Sequence, residues 1–211
     1  MEIRDSGKGF LFACNPVHHA SWWTFEDEQS VRDAFWKPGE GDVILDVGCA
    51  FGSYLLPALA AGAAKAYAWN PLESELSMMK ASLEANGWEE RVEIFQTALH
   101  ASAGFVNPDT AEFRTEEFPG AFPTETLDSY LDKIMSAGKY WMKMDVEGAE
   151  VDVLRGASRL IEALKPTVVV ECHEFRRAGI TGEVEAVLKG HGYRMEACVP
   201  YHAVQHALLV P

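Results

Sequence analysis

Two stretches of this 211-residue chain carry residue types whose spacing could do chemistry. The first is Asp46-Val47-Gly48-Cys49-Ala50-Phe51-Gly52-Ser53, where an acid and two glycines end a β-branched run. Glycine adopts positive φ freely and lets the backbone approach a bound molecule closely. The second is a set of three carboxylates and an imidazole, Asp145, Glu147, Glu171 and His173, at the ends of two apolar runs. Side chains alternate along a strand, so Glu171 and His173 share a side. Imidazole titrates near neutral pH, which makes His173 the first choice for a general base. Asp145 would orient a reacting partner, and Glu147 would line the pocket or favour the start of the next helix by its charge. A plainer reading fits the same residues: Glu147 and Glu150 complement a helix dipole, Glu171 pairs with Lys143, and His173 is a hydrogen-bonded structural residue. Oxygen ligands beside one imidazole could also hold Mg²⁺ or another hard cation, although nothing in the spacing favours a metal.

These residues need a frame. Val43–Val47 reads as a buried strand, preceded by the turn residues Pro38-Gly39-Glu40-Gly41. A second strand, 66–69, leads to a helix with Leu76, Met79 and Leu83 on its apolar face, ended by Asn86-Gly87. Residues 92–95, 140–144 and 167–170 are further strands, and the fourth is followed by a helix carrying Val151, Leu154, Ile161 and Leu164. This alternation predicts an α/β domain with a parallel sheet. Residues 193–199, a turn at Pro200-Tyr201-His202 and residues 205–210 look like a closing hairpin. Near the start, Thr24 would cap a helix from Phe25 to Trp36, with Val31 and Phe35 facing inward. Ala101–Pro123 holds three prolines and four phenylalanines with little periodicity, and reads as a loop covering a substrate pocket.

In an open parallel sheet, ligands bind beyond the carboxyl ends of the strands. A dinucleotide site uses G-x-G-x-x-G to seat a pyrophosphate, whereas the pattern here is D-x-G-x-A-x-G. The acid two positions before the first glycine suits a cationic or neutral ligand. The methionine moiety of S-adenosylmethionine, with its ammonium and sulfonium, is such a ligand; a purely structural turn is the alternative. The second strand ends at Asn70-Pro71, where nucleotide sites often place an acid for ribose hydroxyls. Asn70 keeps an acceptor oxygen and loses the charge. Ala98-Leu99, after the third strand, would lie beside an adenine ring.

Lys143-Met144-Asp145-Val146-Glu147-Gly148-Ala149-Glu150, followed by Leu154-Arg155-Gly156-Ala157, resembles the K-x-D-x-E-G-x-E…L-x-G-A signature of the FkbM methyltransferase family. The Asp46–Gly52 turn, Ala98-Leu99, Gly104, Thr126-Leu127-Asp128 and Pro166 through Val170-Glu171-Cys172-His173 fall in the family's order. The resemblance runs from Val43 to Glu174 and implies a Rossmann-like class I methyltransferase. Its sheet would be seven-stranded and mostly parallel, with an antiparallel C-terminal hairpin strand and helices on both faces. It also implies S-adenosylmethionine as cofactor and O-methylation of a sugar, glycan or secondary metabolite. Asn70 departs from the pattern, which usually has Glu before the proline.

Composition narrows the partners. The length suits one domain over 1–211, with an N-terminal helical and aromatic extension (1–40) and a Rossmann-like core (41–211). A formal charge of −14 opposes binding to nucleic acid, no apolar run is long enough for a membrane span, and no secretory signal is visible. A cytoplasmic protein acting on a small-molecule or glycan acceptor is the expectation. The four cysteines are far apart and read as buried reduced thiols. His18-His19-Ala20-Ser21-Trp22-Trp23 could lie over the site and present indole faces to an acceptor, or bury its tryptophans on the sheet edge; with Cys14 its histidines match no metal template. The rival functions are a non-catalytic domain that binds the cofactor or a partner, favoured by Asn70, and an NAD-dependent oxidoreductase, disfavoured by the glycine spacing.

Overall fold

The structure, a computed structural model, describes residues 1–14, 28–107, 110 and 112–211. The strands β1 (Glu2–Asp5) and β2 (Leu11–Cys14) form an antiparallel hairpin at the start. Next come α1 (Gln29–Phe35), β3 (Val43–Val47), α2 (Leu55–Ala60), β4 (Lys65–Trp69), α3 (Glu73–Asn86) and β5 (Val92–Phe95). Four short strands follow, β6 (Ala98–Leu99), β7 (Gly104–Asn107), β8 (Glu112–Arg114) and β9 (Phe122–Glu125), and then the short helix α4 (Leu131–Ile134). The last part holds β10 (Tyr140–Met144), α5 (Glu150–Arg155), α6 (Ser158–Leu164), β11 (Thr167–Cys172), α7 (Ile180–Gly190), β12 (Arg194–Tyr201) and β13 (Val204–Val210).

Seven strands make the main sheet, in the order β12-β13-β11-β10-β3-β4-β5. All neighbours are parallel except β13, which runs antiparallel to β11 and β12. This is the Rossmann-like α/β sheet that the resemblance implied. From β3 the chain winds outward through β4 and β5, then returns to β10 on the other side of β3. Strand order therefore reverses between β3 and β10, and a crevice opens at their carboxyl ends. Helices cover both faces: α1, α2 and α3 contribute to one buried cluster, α4 to α7 to the other. Each fully buried aliphatic side chain there contributes about 1.5–3 kcal/mol. Among the described residues no helix is long and apolar enough to cross a membrane.

Several elements differ from the sequence reading. Residues 101–123 hold more order than a loop: among the described residues β7, β8 and β9 pair with β6 into a small sheet. Its strands are too short for periodicity to show, and Gly104 is needed there because a Cβ would lie 2.5 Å from the Phe113 ring. The helix after β10 is two helices, broken where Gly156 presses on another segment; a Cβ there would stand 2.3 Å from the His100 carbonyl oxygen. Asp128 then accepts the backbone N–H groups of Arg159 and Leu160 at 3.1 and 2.8 Å, capping α6 from outside. The closing turn falls one step later, at His202-Ala203, because Tyr201 pairs with Val204; Pro200 is tolerated since β12 is an edge strand.

The N-terminal extension contains the β1–β2 hairpin as well as a helix. Asn86 and Ser82 of α3 accept the N–H groups of Leu11 and Ala13, both at 2.8 Å. Phe10, Phe12 and Cys14 bury against the α1–α3 cluster. Val31 and Phe35 face inward as expected. Thr24 and Phe25, where that helix was expected to start, lie outside the described residues.

Candidate active site

A cavity of about 550 Å³ opens at the carboxyl ends of β3, β4 and β10. Its floor is the glycine turn. Gly48 sits at φ +75, and a Cβ on it would stand 1.7 Å from the Asp145 carbonyl oxygen, so no side chain fits. The turn is tied to both neighbouring strands: Gly48 and Cys49 donate to the Trp69 carbonyl at 2.9 and 3.1 Å, and Asp145 N–H donates to Val47 at 2.9 Å. Val47, Gly48 and Ala50 line the cavity. The other expected cofactor contacts on this turn lie behind it. Cys49 is buried, Phe51 is half-buried, and Gly52 backs onto Leu56 and Met79. Asp46 does not reach the cavity either. It alternates with Val47 to the opposite face of β3, where the Leu55 N–H meets its carboxylate; burial, only partly offset by Lys143, pushes its pKa up to about 7.

The β4 side carries an acid that sequence reading missed. Asn70 is buried, and its amide donates to Glu75 Oε2 at 2.6 Å. Asn70, Pro71 and Glu75 all line the cavity, so the carboxylate absent at position 70 comes from the first turn of α3. Burial raises the Glu75 pKa against the Asn70 hydrogen bond. Opposite stand Ala98, Leu99, Val106 and Phe122, with Trp69 stacked on Phe95 at 5.2 Å. An apolar slot with an acceptor-bearing rim fits a purine and a ribose. Gly48 lines the cavity with bare backbone, and the contact that excludes a side chain there is the Asp145 carbonyl.

The third wall holds Asp145, Glu147 and Arg176. Glu147 at φ 52 and Gly148 at φ 106 reverse the chain after β10 and bring Glu147 and Glu150 round to His173. Glu150 is fully buried, and its Oε1 accepts the Gly148 N–H at 3.0 Å and meets His173 Nδ1 at 2.6 Å. His173 Nε2 faces Asp145 at 3.6 Å, Glu147 at 3.6 Å and Glu171 at 3.8 Å. Burial alone would lower the His173 pKa, but the Glu150 hydrogen bond and the surrounding carboxylates raise it to about 9. The surrounding carboxylates thus favour positive charge at His173 Nε2.

Glu171 does pair with Lys143, as the plainer reading had it. Lys143 is 1% exposed, and its Nζ stands 3.7 Å from both Glu171 Oε2 and Asp145 Oδ2 and 4.6 Å from the Tyr54 ring centroid. The two carboxylates split. Burial opposes ionisation of Glu171, but the adjacent His206 ring and Lys143 ammonium outweigh it and hold its pKa down. Asp145 is pushed up, by burial and by Glu171, against Lys143 and His173. Asp145 lines the cavity and Glu171 does not. His206, fully buried, entered no sequence reading; the register pairing it with Glu171 brings it to the cluster. His18, His19, Trp22 and Trp23 lie outside the described residues.

Comparisons with known proteins agree with this geometry. Searched by sequence, the curated proteins give no match. Methyltransferase FkbM from Methylobacillus flagellatus KT superposes with a TM-score of 0.64 at 15% identity, over 87% of this chain and 47% of that one. The chain thus spans about half the length of that protein. Precorrin-6y C5,15-methyltransferase from Geobacter metallireducens GS-15 gives 0.55 at 15% identity, over 87% and 88%. Ribosomal protein L11 methylase from Lactobacillus delbrueckii subsp. bulgaricus gives 0.51 at 12%, over 92% and 79%. At such identities these likenesses carry the fold alone. The model of the methyltransferase FkbM domain, however, matches residues 46–195, most of the chain and all three walls of the cavity. The chain belongs to the FkbM methyltransferase family, and with that family comes S-adenosylmethionine as methyl donor.

Proposed function

We propose that this protein methylates a hydroxyl group on a sugar, glycan or secondary metabolite. The observation that carries the reading is Asp145, a carboxyl held above its ordinary pKa on the wall of the cavity, with charged groups behind it. A hydroxyl acceptor must lose a proton as it is methylated, and a base whose pKa lies near the working pH accelerates such a step by about 10²–10⁴-fold. Asp145 takes that role in preference to His173, whose Nε2 faces it at 3.6 Å and helps to hold it in position. S-adenosylmethionine supplies an activated methyl carbon, so the remaining task is alignment. Gly48 and Ala50 would hold the methionine portion, Asn70 and Glu75 the ribose, and Leu99 and Phe122 the adenine. Glu75 restores the acid missing at Asn70 and with it the case for a working cofactor site. A net charge of −14 supports a small or glycan acceptor over nucleic acid, and a cytoplasmic setting belongs to the same proposal.

S-adenosylhomocysteine should raise the melting temperature saturably, and NAD should not. With acceptors screened by transfer of a labelled methyl group, Asp145→Ala should lower kcat by at least about 10²-fold while S-adenosylhomocysteine still binds. Wild-type turnover by that variant on a genuine acceptor would remove Asp145 as the base.

A further inference from the structure

Among the described residues, two groups bring three metal-ligating atoms within 4.8 Å of one another: Asp145, Glu171 and His173, and Glu28, Glu171 and His206. They share Glu171, whose two oxygens distinguish them. Oε2 stands 3.7 Å from the Lys143 ammonium and 3.2 Å from His206 Nε2, so a cation there would be pressed against a fixed positive charge. Oε1 faces His173 Nε2 at 3.8 Å. Asp145 divides its oxygens in the same manner, Oδ2 toward Lys143 at 3.7 Å and Oδ1 toward His173 Nε2 at 3.6 Å. Glu147 Oε2 adds a third oxygen at 3.6 Å.

Three carboxylate oxygens thus surround one imidazole nitrogen, each beyond hydrogen-bond reach. Ligand atoms bonded to a common ion at about 2.0–2.2 Å stand about 3–4 Å from one another, and the Asp145, Glu171 and His173 atoms, all within 4.8 Å of one another, leave room for one. The imidazole supplies an independent observation. Its side chain is only 3% exposed, yet Nε2 has none of these oxygens at hydrogen-bonding distance, while Nδ1 is locked at 2.6 Å to the fully buried Glu150. A carboxylate on the far nitrogen is the usual device that aims a histidine at a metal. Behind Glu171, the fully buried His206 brings its Nε2 to 3.2 Å from Oε2 and holds that carboxylate.

We propose that His173, Asp145 and Glu171 bind a divalent cation of the Mn²⁺ class at the edge of the cofactor cavity. One imidazole disfavours Mg²⁺ and Ca²⁺, and a majority of carboxylates disfavours softer ions. The ion would offset the excess of Asp145, Glu147, Glu150 and Glu171 over Lys143 and Arg176. Where the proposed hydroxyl acceptor is correct, the ion would also hold the acceptor oxygen beside Asp145; ion binding itself does not depend on that reading.

The test is a titration of the metal-stripped full chain with Mn²⁺, following the electron paramagnetic resonance signal of the free ion. One ion per chain is expected. Asp145→Asn, Glu171→Gln and Glu150→Gln should each weaken binding by about tenfold or more, and Glu28→Gln should leave it within about twofold, since the second group is not used. No binding by wild type at about 1 mM overturns the proposal whether or not the variants fold. So does unaltered affinity in Asp145→Asn and Glu171→Gln proteins with native circular dichroism, or equal weakening by Glu28→Gln. S-adenosylhomocysteine binding in the same samples separates failure of the ion site from failure of the cofactor site.

Discussion

The two faces of the main sheet come from the same strands and differ in one row. Against α4–α7 the strands present Val43, Leu45, Val47, Met142, Met144, Val168, Val170 and Leu209, all buried and apolar. Against α1–α3 they begin in the same way, with Ile44, Trp141 and Val169. Then comes a charged row of two register pairs, Asp46 with Lys143 across β3 and β10 and, two residues further along, Glu171 with His206 across β11 and β13, all buried. Buried ion pairs are seldom more stable than apolar residues of the same volume. The apolar face shows what these strands do when only stability is at stake, and the charged row marks the side on which the site was built.

Substitution at neighbouring positions on opposite faces is the sharpest way to break this comparison. Lys143→Met leaves Asp145, Glu171 and Asp46 without their cation and should lower stability by about 3–5 kcal/mol. Met144→Leu, one residue along and on the other face, should cost less than about 1.5 kcal/mol. Urea unfolding at pH 7.5 measures both. The gap between them should narrow at pH 5, where protonation of the stranded carboxyls relieves the first variant; equal losses would mean that the row carries no special electrostatic load.

Asp46 gives the next effect, in pH. Its carboxyl lies at about 7 in the folded chain against an ordinary 3.8, so the folded state holds a proton that the unfolded chain releases. The stability this contributes is complete below about pH 4 and is lost as pH rises through 7. Wild type should therefore lose stability relative to Asp46→Asn between pH 4 and 7, at up to about 1.4 kcal/mol per unit. A flat difference would show that Lys143 keeps Asp46 ionised throughout.

How much of this was legible depends on how each contact is made. Strands β3, β4, β5, β10 and β11 announce themselves because buried parallel strands are continuous apolar runs, and alternation correctly put Glu171 and His173 on one side. The short strands β7, β8 and β9 gave too few residues for a period, and the break at Gly156 depends on a backbone far along the chain. His206 meets Glu171 only through the antiparallel register of β13 with β11, which no local pattern encodes. The environment of His173 was hidden for a related reason: its ordinary pKa invites a base, and Glu150, reached only through the reversal at Glu147-Gly148, raises that pKa.

The smallest expected effect contrasts the charged row, where strand register locks Asp46 to Lys143 and Glu171 to His206, with the β4 edge of the cavity, where it does not. Asn70 sits just past a strand end and Glu75 in the first turn of a helix, joined by one 2.6 Å hydrogen bond. An acid at either position should serve a ribose, but not at both, since adjacent carboxylates in a half-buried setting repel. Asn70→Glu, which restores the more usual residue, should therefore weaken S-adenosylhomocysteine binding, and Glu75→Gln should weaken it too, each by about 1 kcal/mol or roughly fivefold. The double variant Asn70→Glu/Glu75→Gln should recover most of the loss, a coupling readable by calorimetry as a double-mutant cycle. Tighter binding by Asn70→Glu alone would instead mean that Glu75 does not stand in for the missing acid.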